Sequence, residues 1–175
     1  KYWVEYMQIA RDIMDKAGKK DMEIWITEIG TSYHRGRSTE QQMAINHVRT
    51  FAQVWAGAAD KCLYHEYQSY GTSLTDQEHY FGIVDGCDTP QAYAAKQPYL
   101  AVANFNAMTE DCEFVDKIER DNVYVFRFKK ADGSHMIMMY ADRDVKNISL
   151  DLGAMSGTWY DINGNAKDLV SQSGK

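Results

Sequence analysis

The segment that most narrows the possible folds is Glu23-Ile24-Trp25-Ile26-Thr27-Glu28-Ile29-Gly30. Its β-branched and aromatic side chains suit a pleated, packed surface, so it reads as a buried strand. Side chains alternate along a strand, which puts Ile24, Ile26 and Glu28 on one face and Trp25 and Thr27 on the other. Glu28 then stands at the carboxyl end of the strand, where ligand sites of α/β sheets and barrels collect. Gly30 allows a sharp turn or a close approach to the backbone.

Helical patterns flank this strand. Trp3, Tyr6, Met7, Ala10, Ile13, Met14 and Ala17 recur at three and four, which predicts a helix from Tyr2 to Ala17 closed by Gly18. After a polar loop, Thr39 is a good N-cap with Gln42 three residues on, and a second helix runs through Met43, His47, Phe51 and Trp55 to Gly57. Cys62-Leu63-Tyr64-His65-Glu66-Tyr67 reads as a second buried strand with polar groups at its carboxyl end. A long loop, Gln68 to Thr89, leads to Pro90, which suits the first turn of a third helix from Gln91 to about Met108, with Pro98 kinking it. Strands separated by helices imply a parallel sheet. Two parallel strands leave faces and edges uncovered, so this part is expected to complete a larger sheet or to be poorly stable alone.

The texture changes near Cys112. Val123–Phe128 alternates, Ala131-Asp132-Gly133 is a hairpin turn, and His135–Tyr140 returns. Asn147–Leu152 alternates again, and Trp159–Ile162 leads through Asn163-Gly164, a type I′ signal, to Ala166–Val170. The expected fold class is therefore α/β strand–helix units over residues 1–110, followed by a small antiparallel β-sandwich over residues 111–175.

Composition bounds the function. With 45% hydrophobic and 13% aromatic residues the chain has a packed core, and a formal charge of -6 argues against nucleic acid or an anionic membrane as partner. No apolar run approaches transmembrane length, and Lys1-Tyr2-Trp3-Val4-Glu5 is neither a signal peptide nor a start, so the chain is expected to continue upstream. Cys62, Cys87 and Cys112 form neither a metal cluster nor an even disulfide set. There is no Gly-rich phosphate loop and no Gly-x-Ser-x-Gly elbow, and no cofactor is expected.

Glu28 is the leading candidate for chemistry, since a strand-end carboxylate among aromatic residues can act as nucleophile or base. Glu66 is a second strand-end carboxylate; it could complete an acid/base pair, but binding a polar ligand is the favoured reading. Tyr33, Tyr64, Tyr67, Tyr70, Tyr80 and Phe81 gather on the same predicted side, where tyrosines suit both the apolar C–H faces and the hydroxyl rim of a sugar. For Tyr64 and Phe81 a core role is at least as good a reading. His34, His65 and His79 lack zinc-ligand spacing and are read as hydrogen-bonding groups, so no metal site is expected. Arg35 and Arg37 are read as solvated loop charges, and Cys62, at a strand start with no base beside it, as no nucleophile.

Trp25-Ile26-Thr27-Glu28-Ile29-Gly30 resembles the strand-seven motif of the clan A glycoside hydrolases, (β/α)8 barrels with a retaining mechanism. The stretch Phe81-Gly82-Ile83-Val84-Asp85 with Thr89-Pro90-Gln91-Ala92-Tyr93 resembles the lead-in to their helix eight, and the all-β tail with Trp159–Asn165 is similar to the small C-terminal β-sandwich that many of them carry. The resemblance implies that Glu28 is the catalytic nucleophile and that Cys62–Tyr67 is strand eight; Tyr33, His34, His65, Glu66, Tyr67 and Tyr70, on their residue types and predicted side, are the expected carbohydrate-binding residues. It also favours a secreted or periplasmic location. Three departures stand against the pattern: the family's Asn-Glu acid/base pair is missing, Glu66 and Tyr67 stand where a tryptophan is common at the end of strand eight, and only two of the eight barrel strands are present. The implied protein is thus the C-terminal part of a longer retaining glycosidase, inactive as this piece. Two rivals are a non-catalytic carbohydrate-binding or scaffold module, and a barrel lyase or aldolase, which would want a lysine at a strand end where Lys61 is at a strand start.

Overall fold

A computed structural model describes residues 2–34, 38–146 and 156–170. The elements in order are α1 (Tyr2–Lys16), β1 (Trp25–Ile29), α2 (Glu40–Ala56), β2 (Lys61–Tyr64), a short 3-10 helix (Gln77–Tyr80), α3 (Gln97–Thr109), β3 (Cys112–Arg120), β4 (Val123–Lys130), β5 (His135–Ala141), β6 (Ser156–Tyr160) and β7 (Ala166–Val170). Helices and strands alternate in the first part, and β1 and β2 pair in parallel, as the alternation requires. The second part is antiparallel: a sheet in the order β3-β4-β5 and a separate ribbon of β6 and β7. The predicted strand at 147–152 and the loop residues Arg35 and Arg37 lie outside the described residues.

Local chemistry explains most boundaries. Thr39 Oγ1 accepts the Gln42 N–H at 3.1 Å and starts α2. Gly57, which ends it, lies so close to α1 that a Cβ there would come within 2.6 Å of Met7 Cβ. Arg11 staples α1 to the start of the parallel pair, donating to Met22 O at 2.7 Å, Ala58 O at 3.2 Å and Asp60 Oδ2 at 3.0 Å.

Four expectations are corrected. First, β2 ends at Tyr64, so His65, Glu66 and Tyr67 belong to the following loop; the last ladder contact is His65 N–H to Ile29 O at 2.9 Å. Second, the third helix begins at Gln97 rather than Gln91, and Pro98 occupies its first turn, where its missing N–H costs nothing, instead of kinking it. Residues ahead of it form turns, with Tyr93 in the left-handed region at φ 63°. Third, Cys112–Arg120 is a full strand that sequence alternation did not single out. Its connection to β4 is a two-residue turn with both Asp121 (φ 51°) and Asn122 (φ 67°) left-handed, the type I′ signature. Fourth, the turn at Asn163-Gly164 is not of that type, because only Gly164 (φ 85°) is left-handed; Asp161 instead caps the loop, its Oδ1 accepting the N–H groups of Asn163 and Asn165.

The core lies between the helices and the three-stranded sheet. Tyr124, Phe126 and Phe128 of β4 share one face and pack with Ala52 of α2 and Phe105 of α3, flanked by Phe51, Trp55, Phe114, Met138 and Tyr140. The Phe128 ring lies 4.8 Å from that of Trp55 and 5.7 Å from that of Phe114. Arg49 of α2 lies 4.2 Å over the Tyr140 ring and pairs with Asp142, which pins the same helix to the sheet's end. Because this core is shared, Phe128→Ala should cost about 3–5 kcal/mol and shift the helical and sheet signals together. Urea unfolding followed by far-ultraviolet dichroism and by tryptophan fluorescence should give coincident midpoints; separate transitions would refute a common core.

Candidate functional site

The carboxyl end of β1 is not a regular strand. Ile26 pairs with Cys62 and Ile29 with Tyr64, so three steps on β1 oppose two on β2. This bulge changes the phase of the alternation. Ile26 (9% exposed) and Ile29 both lie on the α2 side, while Glu28 is turned away from Ile26 to the open face shared with Trp25 (49% exposed). Glu28 therefore does not share a face with Ile24 and Ile26 as simple alternation predicts. Its side chain is 69% exposed, and Oε1 lies 3.3 Å from His65 Nδ1.

Several contacts hold His65 there. Its ring meets the edge of Phe81 at 5.1 Å, and its Nε2 is 3.8 Å from Glu78 Oε2 on the 3-10 helix. Gly30 is required behind it, since a Cβ at that position would stand 2.1 Å from the His65 carbonyl oxygen. The peptide that follows, His65–Glu66, is cis.

Glu66 is the next group inward. One of its carboxylate oxygens, Oε1, is buried with no hydrogen-bond partner among the described residues. Loss of solvent raises its pKa above the usual carboxylate range; Glu78 adds to this, and His65 and Lys96 oppose it. A half-desolvated carboxylate with a free acceptor oxygen suits a sugar hydroxyl.

Lys96 organises the long loop. It is 3% exposed, and its Nζ donates to Ser69 Oγ at 2.6 Å and to Gly82 O at 3.0 Å, with Asp85 Oδ1 at 3.7 Å and the Tyr33 ring centroid at 4.9 Å. Burial lowers its pKa, and Asp85 and Glu40 counteract the shift. Tyr33 meets Tyr80 edge to face at 5.1 Å, and burial, with Glu40, Asp85 and Tyr80 nearby, pushes its phenol up to about 12. Tyr70 is exposed and packs at 5.5 Å on His79, whose Nδ1 accepts the Ser73 N–H at 3.0 Å.

Of the residues singled out from sequence, Glu28, His65, Glu66, Tyr33 and Tyr70 thus gather along one rim. His34 hydrogen-bonds Ser32 Oγ at 2.8 Å and Tyr67 projects outward; neither joins the network among the described residues. Tyr64 proves to be a support: its ring packs on His47 at 4.3 Å and its hydroxyl donates to Phe81 O at 2.8 Å. Sequence reasoning passed over Glu78 and Lys96. Glu78 carries no local signal, but a lysine in the N-cap position directly before Gln97-Pro98 is out of place as a cap and could have been flagged. No three metal-ligating side chains come together among the described residues. A surface depression lined by Arg11, Met22, Trp55, Asp60 and Phe114 lies at the amino ends of the parallel strands, away from these groups.

No family model and no curated protein matches the chain. Among solved structures it is similar to a family 39 glycoside hydrolase from the gut symbiont Bacteroides cellulosilyticus WH2, with a TM-score of 0.67 and 17% sequence identity. The match covers 94% of this chain and 36% of that one, so the chain spans about a third of the length of its structural neighbour. The likeness shows a shared fold: this α/β arrangement with its antiparallel sheet recurs inside a glycoside hydrolase.

Beneath the rim, His47 is buried on α2, and its Nε2 accepts the Thr31 N–H at 3.1 Å, which a neutral ring alone can do. Burial pulls its pKa down to about 4, below the ordinary value of 6.5. In this window the unfolded chain binds the extra proton, so stability rises with pH between these values and is lost as pH falls from about 6.5 towards 4. His47 alone should contribute a slope of up to about 1.4 kcal/mol per pH unit there. Denaturant titrations at successive pH values should show this slope flattened in His47→Gln; an unchanged slope would contradict it.

Proposed function

We propose that this chain is the C-terminal portion of a retaining glycosidase that hydrolyses O-glycosidic bonds of oligo- or polysaccharides. In this reading β1 and β2 are strands seven and eight of a (β/α)8 barrel, and the antiparallel part is a small β-sandwich domain. The observation that carries the proposal is the bulge that turns Glu28 out of the helix-facing side of β1 and into contact with His65. The fold shared with a glycoside hydrolase supports it.

The chemistry follows from the role of Glu28. One carboxylate oxygen attacks the anomeric carbon, the bond to the leaving oxygen breaks, and a carboxylic acid from outside this chain protonates that oxygen. Water then attacks the glycosyl ester, the same acid group taking its proton as base, and the sugar is released with retained configuration. This geometry wants the two carboxyl groups about 5 Å apart. Glu66, with its unpartnered buried oxygen, receives a sugar hydroxyl, and Tyr33, His65 and Tyr70 line the carbohydrate site, while His34 and Tyr67 stand outside that cluster.

A second reading is a non-catalytic carbohydrate-binding module. The exposed rings of Tyr67 and Tyr70 favour it, because they can hold sugar without chemistry. The two separate cleanly in a protein carrying this stretch together with the rest of the barrel. Glu28→Gln should cut kcat by at least about a thousandfold, and a 2-fluoro glycoside that traps the ester should add its sugar mass to the peptide holding Glu28. Near-normal turnover in Glu28→Gln, or the label on another residue, would sink the assignment.

A further inference from the structure

We propose that His47 is a positioning residue for the rim: as the Nδ1–H tautomer it accepts the Thr31 N–H on Nε2 and so fixes the backbone by which the chain passes from Glu28 to Tyr33. The value of this to a reaction rests on the glycosidase reading, but the geometry does not. His47 is 2% exposed on α2, and its Nε2 lies 3.1 Å from Thr31 N. Thr31 stands between Glu28 and Tyr33 in the chain, so one bond from a helix reaches the segment that joins two candidate site residues. Beyond Thr31 the segment is tied the other way. Ser32 O accepts from Ser38 Oγ at 2.6 Å, and the Tyr33 N–H donates to Tyr80 O at 3.3 Å. His47 supplies the tie to the helix layer and Tyr80 the tie to the long loop, and the two together set where Tyr33 stands.

The tautomer follows from the bond. A backbone N–H can only donate, so the ring nitrogen that faces it must offer a lone pair, and the single proton of a neutral imidazole is left on Nδ1. Burial holds the ring neutral at pH 7, with its pKa at about 4. Nδ1 is buried and has no hydrogen-bond partner among the described residues. An unpaired buried donor is costly, yet the reverse tautomer would be worse, since two N–H groups would then face each other across 3.1 Å. Tyr64 of β2 meets the ring edge to face at 4.3 Å, and its own phenol, raised by burial and by Glu66, stays neutral. His47 touches neither Glu28 nor Tyr33 through this bond; it acts through Thr31.

The measurement is the ring-nitrogen NMR spectrum of His47 in this chain at pH 7, assigned by its absence from a His47→Gln sample. It should show the proton on Nδ1 and a bare Nε2. Amide hydrogen exchange then tests the link to Thr31. Glutamine carries its side-chain oxygen to the region of Nε2 and can still accept, whereas leucine fills the space without an acceptor. In His47→Leu the Thr31 amide should exchange about tenfold faster or more, relative to core amides such as that of Phe126. In His47→Gln it should stay within about threefold of its original rate. A proton on Nε2 overturns the inference. So does equal loss of Thr31 protection in both variants, or a Thr31 amide no more affected by leucine than the core amides. If the leucine variant does not fold, the ring spectrum of the unsubstituted chain and the glutamine variant still decide. The readout involves no turnover, so a failure here leaves the nucleophile assignment standing, and a failed trapping experiment leaves this one standing.

Discussion

An ammonium group taken out of water is costly unless hydrogen bonds and opposite charge replace its hydration. Lys96 meets that requirement with Ser69 Oγ, Gly82 O, Asp85 and the face of Tyr33. These partners come from the loop after β1 and from both ends of the long loop after β2. The lysine therefore ties two otherwise independent segments to the start of α3. Between those ties the long loop carries Tyr70 of the rim, together with Glu78 and Phe81, which contact His65. Gly82 shows how tightly the loop is drawn together, since a Cβ there would lie 1.8 Å from Ser69 N.

The second constraint is α2, which has two jobs at the two ends of one buried stripe. Met43, Ala44 and His47 are buried, with His47 reaching the end of β1 and the Tyr64 ring, while Ala52, Phe51 and Trp55 belong to the core under the three-stranded sheet. The helix thus links the rim to the antiparallel part. A β sheet with one apolar face needs a cover, and here the cover for β3–β5 is helical on the side of Tyr124, Phe126 and Phe128.

Much of this order was legible in the residues. The three-and-four spacing from Tyr2, the Thr39 cap and the Ile-Trp-Ile run placed α1, α2 and β1 close to where they stand, and the change of period after Cys112 marked the antiparallel part. What escaped was decided by tertiary contacts. Cys112–Arg120 pairs along β4 through backbone bonds that are indifferent to its mixed side chains, so alternation could not reveal it. Pro90 looked like a helix start, but backbone bonds from Asp85 and Tyr93 hold the following residues in turns until Gln97. Glu78 and Lys96 are ordinary charged residues in sequence, and they acquire meaning only when a loop folds back on a strand end.

The placing of Glu28 shows how a right residue can be reached by a wrong geometry. Strict alternation puts it on the face of the buried Ile26, where an ionised carboxylate would be desolvated with no partner. The extra residue between Ile26 and Ile29 removes that conflict by shifting the phase, so that both isoleucines stay inside and the carboxylate leaves. The bulge is thus what lets one short strand serve two ends: apolar burial along its length and a charged group at its tip. It also explains why His65, one residue past the end of β2, is the partner that Glu28 finds. Tyr64 packs on His47 of α2, and the residue after it, His65, stands on the side of the displaced carboxylate. A regular strand of the same composition would have kept the two apart.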